Sequence, residues 1–307
     1  MITTSLLVLP IFIVLFLGLY LKRYGFISDD YVKISNRLVF NIFLPSLLFI
    51  EISKTSFSNF NFGIVFMVMV ISIFTIFALS FIIGNFIKME KRSIGTFSMN
   101  NFRANYAYMG LPVVYYAYGK DGLSAGSLLM AFIVPFVNLL SVLSLTLGEK
   151  TSGSRTLFLI KSTLINPIAM SCIFGIIFSI SGIHLPDFIM KSLEILSKVA
   201  LPLALIGIGA TINFRYISGK KIYLLLNSFI KLIILPLIAY LILKVLKQDI
   251  GLMEKTLIIM LSSPPATVNY VLAAMMNGDT ELSSGAIMLS TVLSMFTFII
   301  WLTILGI

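Results

Sequence analysis

The chain has 307 residues, 59% hydrophobic and 11% charged, with a mean hydropathy of +1.05 and a formal net charge of +10. A soluble fold needs a charged exterior, roughly 25% charged residues being usual, so this composition excludes a soluble globule and predicts an integral membrane protein. At ~20 apolar residues per span there is room for about ten helices and short loops, with none left for a sizeable soluble domain. The single cysteine, Cys172, excludes intrachain disulfides and cysteine metal clusters, and no cofactor motif is found.

The first apolar run has no Lys or Arg ahead of it and no small-residue cleavage site behind it, which predicts a retained span rather than a signal peptide. Further runs follow, giving ten in all: 5–21, 33–50, 61–87, 96–118, 123–147, 157–182, 187–210, 219–243, 255–276 and 282–306. They are continuous and do not alternate with period two, so they predict helices and not barrel strands. Twelve of the 22 Lys and Arg lie in the loops after the odd-numbered spans, and six in the even-numbered loops. The positive-inside bias then puts the odd loops in the cytoplasm and both termini outside, in a multi-pass protein of the cell membrane. This use of the positive charge leaves no call for nucleic acid as a partner; the bilayer itself is the expected one.

Comparison of the chain with itself shows an ordered repeat. Pro10 pairs with Pro167, and Leu44-Pro45 with Leu201-Pro202, each 157 positions apart; the same offset takes Pro112 to Asn269, just after Pro264-Pro265. Residues 1–150 and 151–307 are therefore expected to be two five-span copies. Five is odd, so the second copy inserts upside down, the recurring plan of secondary transporters.

Span four reads Asn100-Asn101-Phe102-Arg103-Ala104-Asn105-Tyr106-Ala107-Tyr108-Met109-Gly110-Leu111-Pro112, and span nine reads Ser262-Ser263-Pro264-Pro265-Ala266-Thr267-Val268-Asn269-Tyr270. Proline removes an amide donor and clashes with the preceding turn, so both helices are expected to open, at Gly110 and Pro112 and at Pro264 and Pro265. Ordinary kinking would account for any one of these prolines. Two breaks at matching places in inverted halves instead predict one shared site, because unwound backbone at membrane depth must be buried or line a wet cavity. Half-helix N-termini there suit a carboxylate. Asn105 and Asn269 stand beside the breaks as candidate substrate ligands, with Asn41 and Asn166 as further candidates; for Asn41, Asn138 and Asn166, bonding between helices is an equal alternative.

All twelve acidic residues fall in loops or near span ends, which counts against a cation exchanger built on a buried carboxylate. The charges left within spans are basic. Arg37 is expected at the headgroups and Lys231 to snorkel to an interface, whereas Arg103 and Lys198 are candidates for the substrate site, either pairing structurally or supplying positive potential. Gly122-Leu123-Ser124-Ala125-Gly126 fits a serine-nucleophile pattern, but the only histidine, His184, lies in a distant loop, so a helix-packing face is the better reading. No ATP-binding or dinucleotide pattern is present, so energy is expected from a gradient and no enzymatic activity is expected.

These strings together resemble the auxin efflux carrier family of membrane transport proteins, over essentially all ten spans. The resemblance rests on Asn41-x-x-Leu44-Pro45, on Asn105-Tyr106-Ala107-Tyr108-Met109-Gly110-Leu111-Pro112 followed by Tyr118-Gly119, on Asn166-Pro167, and on Pro264-Pro265-Ala266-Thr267-Val268-Asn269-Tyr270. It implies an all-α fold of two inverted five-helix repeats, with a scaffold and a transport domain each drawing on both, and with spans four and nine crossing near mid-membrane. It further implies export or exchange of small organic anions, often by a homodimer, with Asn105 on the substrate carboxylate and Pro112 at the crossover. The plant carriers have a proline at the position of Asn269, and the long regulatory loop of some of them is missing here. The leading expectation is a secondary carrier of mono- or dicarboxylates. A cation-coupled symporter binding its ion through backbone carbonyls, and a membrane sensor, are the alternatives.

Overall fold

The computed structural model describes residues 2–55, 62–148, 167–183, 185–212, 221–246 and 249–307. Among them every named element is helical, and the one β-type contact is an isolated bridge between two helix breaks. In chain order the helices are α1 (Ile2–Arg23), α2 (Asp29–Leu38), α3 (Leu44–Ser53), α4 (Phe62–Phe86), α5 (Lys91–Phe102), α6 (Leu111–Gly148), α7 (Pro167–Ser181), α8 (Asp187–Thr211), α9 (Lys221–Phe229), α10 (Leu235–Val245), α11 (Leu252–Leu261), α12 (Val268–Met275) and α13 (Thr280–Ile304).

Three short π-helical turns join neighbouring pieces: Val39–Phe43 between α2 and α3, Tyr106–Gly110 ahead of α6, and Ile230–Ile234 between α9 and α10. Each runs directly into a Leu-Pro pair, at Pro45, Pro112 and Pro236. The cause is local: proline has no amide for the carbonyl four residues back and its ring crowds that carbonyl, so widening the preceding turn relieves both problems.

Among the described residues, seven helices are long and apolar enough to cross a membrane. The other expected spans are accounted for locally. Spans four and nine are each divided by a break, at residues 103–105 and 262–267. The second half of span four continues into span five as Tyr106–Gly148, bent at Gly119, whose φ of 66° is a left-handed conformation that glycine adopts without strain. Span six is described only from Pro167, as the shorter α7.

Two groups of contacts organise the helices. α1 packs along α8, and α3 packs against both α7 and α8. The α1–α8 contact is close because a Cβ at Gly18 would meet the Ile206 carbonyl, and one at Gly209 would meet the Leu15 carbonyl. Small residues that bring backbones together are the main packing device where lipid competes equally for apolar side chains. In the second group α5 packs on α4 and α6, α11 on α6, and α9 on α13. The broken helices lie in this second group, and their breaks face one another.

Candidate functional site

The site is built on the two breaks. α5 ends at Phe102 and α11 at Leu261, and the residues that follow pair across as an antiparallel bridge between Ala104 and Pro265. The Asn105 amide donates to the Pro264 carbonyl at 2.7 Å, and the Ala266 amide donates to the Arg103 carbonyl at 3.2 Å. Prolines at 264 and 265 have no amide to continue a helix, while their carbonyls remain good acceptors. The approach beyond the bridge is tight: a Cβ at Gly110 would sit 2.7 Å from Met260 Sδ and 3.1 Å from Ser263 Oγ. Asn105 Oδ1 caps the new turn by accepting from the Tyr108 amide at 3.3 Å.

A cavity of about 840 Å³ opens on these paired breaks, walled by the breaks themselves, by α2 and its π turn, by α6, by the start of α7 and by α12. Its polar lining includes Asn36, Arg37, Asn41, Arg103, Asn105, Tyr108, Asn138 and Thr267, among apolar groups such as Val134, Val137 and Val271. Among the described residues, two arginines line this wall and no carboxylate does. Arg103 is 8% exposed; Nη2 donates to Asn138 Oδ1, while Nη1 is buried with no acceptor. Asn105 spends its oxygen on the cap, and among the described residues its Nδ2 donates to nothing. Asn41 Nδ2 donates back to the Arg37 carbonyl at 2.7 Å.

The structure thus brings Asn41, Arg103 and Asn105 to one cavity, with Pro264 and Pro265 buried at the paired breaks behind it; Gly110 and Pro112, expected to open span four, are buried in continuous helix just after its break at 103–105, because the π turn Tyr106–Gly110 absorbs the missing proline amide. Asn269 is not on the cavity wall. It is fully buried, and its Nδ2 donates to Asn100 Oδ1 at 2.9 Å and, more weakly, to the Arg103 carbonyl at 3.5 Å. Lys198 is exposed on α8 and also away from the wall. Asn166 lies outside the described residues, next to Pro167, which lines the cavity. Ser124 of the nucleophile-like pattern sits inside α6, with no strand-turn-helix around it, and bonds to Glu51 Oε2 at 2.8 Å.

Arg37, exposed on α2, also lines the cavity; Asn41, one turn on, was the available signal, since residues four apart share a helix face. One basic residue differs from expectation. Lys231 does not snorkel. It is fully buried, its π turn packing against α5 and α13, and its side chain reaches the end of α11, where it donates to the Leu261 carbonyl at 2.6 Å. A polar network behind the cavity was also missed: Asn227 Nδ2 donates to Asn101 Oδ1 at 2.6 Å, and Asn101 Nδ2 to Ser80 Oγ at 2.9 Å. The adjacent Asn100-Asn101 pair inside an apolar run was its trace in the sequence.

An apolar multi-helix protein whose two broken helices meet beside a cationic cavity belongs to the class of membrane transporters. The profile of the membrane transport protein family matches residues 3–153 and 141–302, and the chain belongs to that family, the auxin efflux carrier family. It is 28% identical over 306 residues to an uncharacterized transporter of Methanothermobacter thermautotrophicus, covering 97% of each chain. It is 25% identical over 300 residues to an uncharacterized transporter of Methanocaldococcus jannaschii, covering 96% of each. It is also 24% identical over 299 residues to a Rhizobium meliloti protein named "Putative malonate transporter", covering 95% of this chain and 92% of that one.

Proposed function

We propose that the protein is a secondary carrier of small mono- or dicarboxylates, working by alternating access. The observation that carries this reading is the cavity wall, with Arg37 and Arg103 on it and, among the described residues, no carboxylate to neutralise them. A buried cation with an uncommitted donor is costly unless an anion completes it. Asn105 Nδ2 and the amides at the start of α12 add donors suited to carboxylate oxygens. Two guanidinium groups favour a dianion such as malonate, the compound in the name of the Rhizobium meliloti relative.

The cavity also lies at one end of the helices, as one state of an alternating-access cycle requires. Arg37 and Glu51 are about 20 Å apart along one helical segment at 1.5 Å per residue. At the Glu51 end Ser124 bonds to Glu51, Lys54 pairs with Glu194 at 2.8 Å, and Ser179 donates to the Thr55 carbonyl at 2.6 Å. Those contacts form the closed side. With the positive-inside topology the cavity faces the cytoplasm. The α1, α3, α7 and α8 group is then the scaffold, and the group holding both breaks is the transport domain, each drawing on both inverted halves.

Uptake into proteoliposomes with a panel of radiolabelled mono- and dicarboxylates tests the proposal. Accumulation or exchange of at least one is expected, with loss of binding in Asn105→Ala. No flux of any carboxylate, together with unchanged binding in that variant, overturns it. Binding without flux would instead identify a sensor.

A further inference from the structure

The offset of 157 residues that pairs Pro10 with Pro167 and Leu44-Pro45 with Leu201-Pro202 also pairs Arg37 with Glu194 and Asn41 with Lys198. It further pairs Glu51, Lys54 and Thr55 with Ile208, Thr211 and Ile212. α8 runs antiparallel to the α2–α3 segment: Lys54 meets Glu194 near its start, and Asn36 meets Gly207 near its end. Paired residues therefore stand at opposite ends of these helices.

The two ends are in opposite conditions, position by position. Glu51, Lys54 and Thr55 are all in contact at the end away from the cavity, with Ser124, Glu194 and Ser179. Their counterparts Ile208, Thr211 and Ile212 instead line a second cleft, of about 260 Å³, with Ser284 of α13 on its other side. Arg37 and Asn41 line the open cavity, whereas their counterparts Glu194 and Lys198 lie at the closed contacts.

Charge gives the closed end its chemistry. Lys54 Nζ binds Glu194 Oε1 at 2.8 Å, and Lys198 follows Glu194 by one turn on the same face of α8. Lys120, at the bend of α6, adds its field at both Glu194 and Glu51. Ammonium groups from three helices thus surround two carboxylates. At the open end, among the described residues, the two arginines of the cavity wall have no carboxylate beside them. A carboxylate of the chain fills at the closed end the place left for an anion at the open one.

We propose that Lys54 and Lys198 form a second carboxylate site, completed when this end opens, in which Glu194 stands in for the ligand in the state described. This rests on the reading of the protein as an alternating-access anion carrier. It assigns the groups that meet a small mono- or dicarboxylate on the side of the membrane away from the cavity. An arriving carboxylate displaces Glu194 from Lys54 and is held by Lys198 as well. Glu194 stays tethered at an effective concentration on the order of millimolar, so it returns as the anion leaves and the site releases its ligand rather than retaining it.

The experiment uses the full chain with malonate as the probe. Cys172 is the only native cysteine and is buried, so a cysteine placed at the closed end reacts alone. In proteoliposomes, Lys198→Cys is expected to raise the half-saturating malonate concentration for uptake about fivefold in molecules with this end outward, seen as a second, weaker component. Treatment before reconstitution with 2-aminoethyl methanethiosulfonate, which transfers an aminoethylthio group to the thiol and releases methanesulfinate, should restore the wild-type value. The sulfonatoethyl reagent, which leaves an anion there, should weaken uptake further. A second readout needs no transport: malonate is expected to slow the reaction of Ser197→Cys with the sulfonatoethyl reagent about threefold, and adding Lys198→Ala should abolish that slowing.

Unchanged half-saturation in Lys198→Cys, whatever charge is attached, overturns the proposal. So does a slowing at Ser197→Cys that survives Lys198→Ala, since malonate would then act only by shifting the conformation. If the wild type moves no carboxylate, the carrier reading fails, while the protection of Ser197→Cys still decides whether this end binds an anion.

Discussion

Replacing Arg103 is the sharpest test of the cavity. Arg103→Gln removes the charge while leaving an amide able to reach Asn138. Arg103 is 8% exposed, and among the described residues its Nη1 has no acceptor, so its contact with a bound carboxylate would be charge-assisted and shielded from solvent. Truncating one partner of such a buried pair costs about 2–4 kcal/mol, which is roughly a 30- to 1,000-fold loss in affinity. Arg103→Lys keeps the charge but not the planar fork, so it can serve Asn138 or the anion but not both; a loss of about tenfold is expected. The losses should persist at high ionic strength, because a buried charge is little screened, whereas the contribution of the exposed Arg37 should fade. The measurement is a titration of purified, monodisperse protein with radiolabelled malonate and other carboxylates by scintillation proximity. If Arg103→Gln bound every ligand of the wild type within about threefold, the cavity would not be the anion site this charge balance implies.

Other substitutions separate the roles of neighbouring residues. Asn105→Ala loses a helix cap of about 1 kcal/mol and a donor to the ligand, so both melting temperature and affinity should fall, while Asn105→Asp should abolish uptake by repelling the anion. Gly110→Ala places a Cβ 2.7 Å from Met260 Sδ and should cost about 1–3 kcal/mol of stability, read as a lower melting temperature with weaker crossover packing. Asn269→Ala removes the donor to Asn100 and should slow exchange while changing malonate affinity by less than about threefold, since Asn269 is off the cavity wall. Lys198→Ala should leave affinity within about twofold of wild type by the same titration, because that side chain is exposed on α8.

Much of this architecture was legible because membrane folds announce themselves through chemistry that is local in sequence. Long apolar runs mark spans, and Pro264-Pro265 mark the break in span nine because a missing amide acts within one turn; Pro112 marks only the π turn at Tyr106–Gly110, the break in span four lying earlier, at 103–105. Asn105 stood out for the same reason, as a polar residue at a break. What the pattern could not supply is which way a side chain faces after the break. Asn269 has the same sequence credentials as Asn105, yet its amide is taken by Asn100, a partner 169 residues away in the chain. Lys198 shares an offset with Asn41, yet one is away from the cavity and the other on it. Lys231 is expected at the interface because snorkelling is the cheaper course for a lone lysine; it is buried because its turn packs against α5 and α13, a fact of tertiary packing.

The alternating access proposed above would account for the unequal use of Asn105 and Asn269. Under that proposal two inverted halves with matching breaks are equivalent only on average over the cycle. In a state with a cavity at one end and the Glu51–Ser124 and Lys54–Glu194 contacts at the other, one half would present its break to the ligand and the other would pack its break away. Asn105 is in the first position, with Nδ2 uncommitted, and Asn269 is in the second, tied to Asn100 with a buried Oδ1 that has no donor. A buried acceptor without a donor costs about 1–3 kcal/mol, so under the alternating-access proposal a donor reaching that oxygen in the opposite state would favour the exchange.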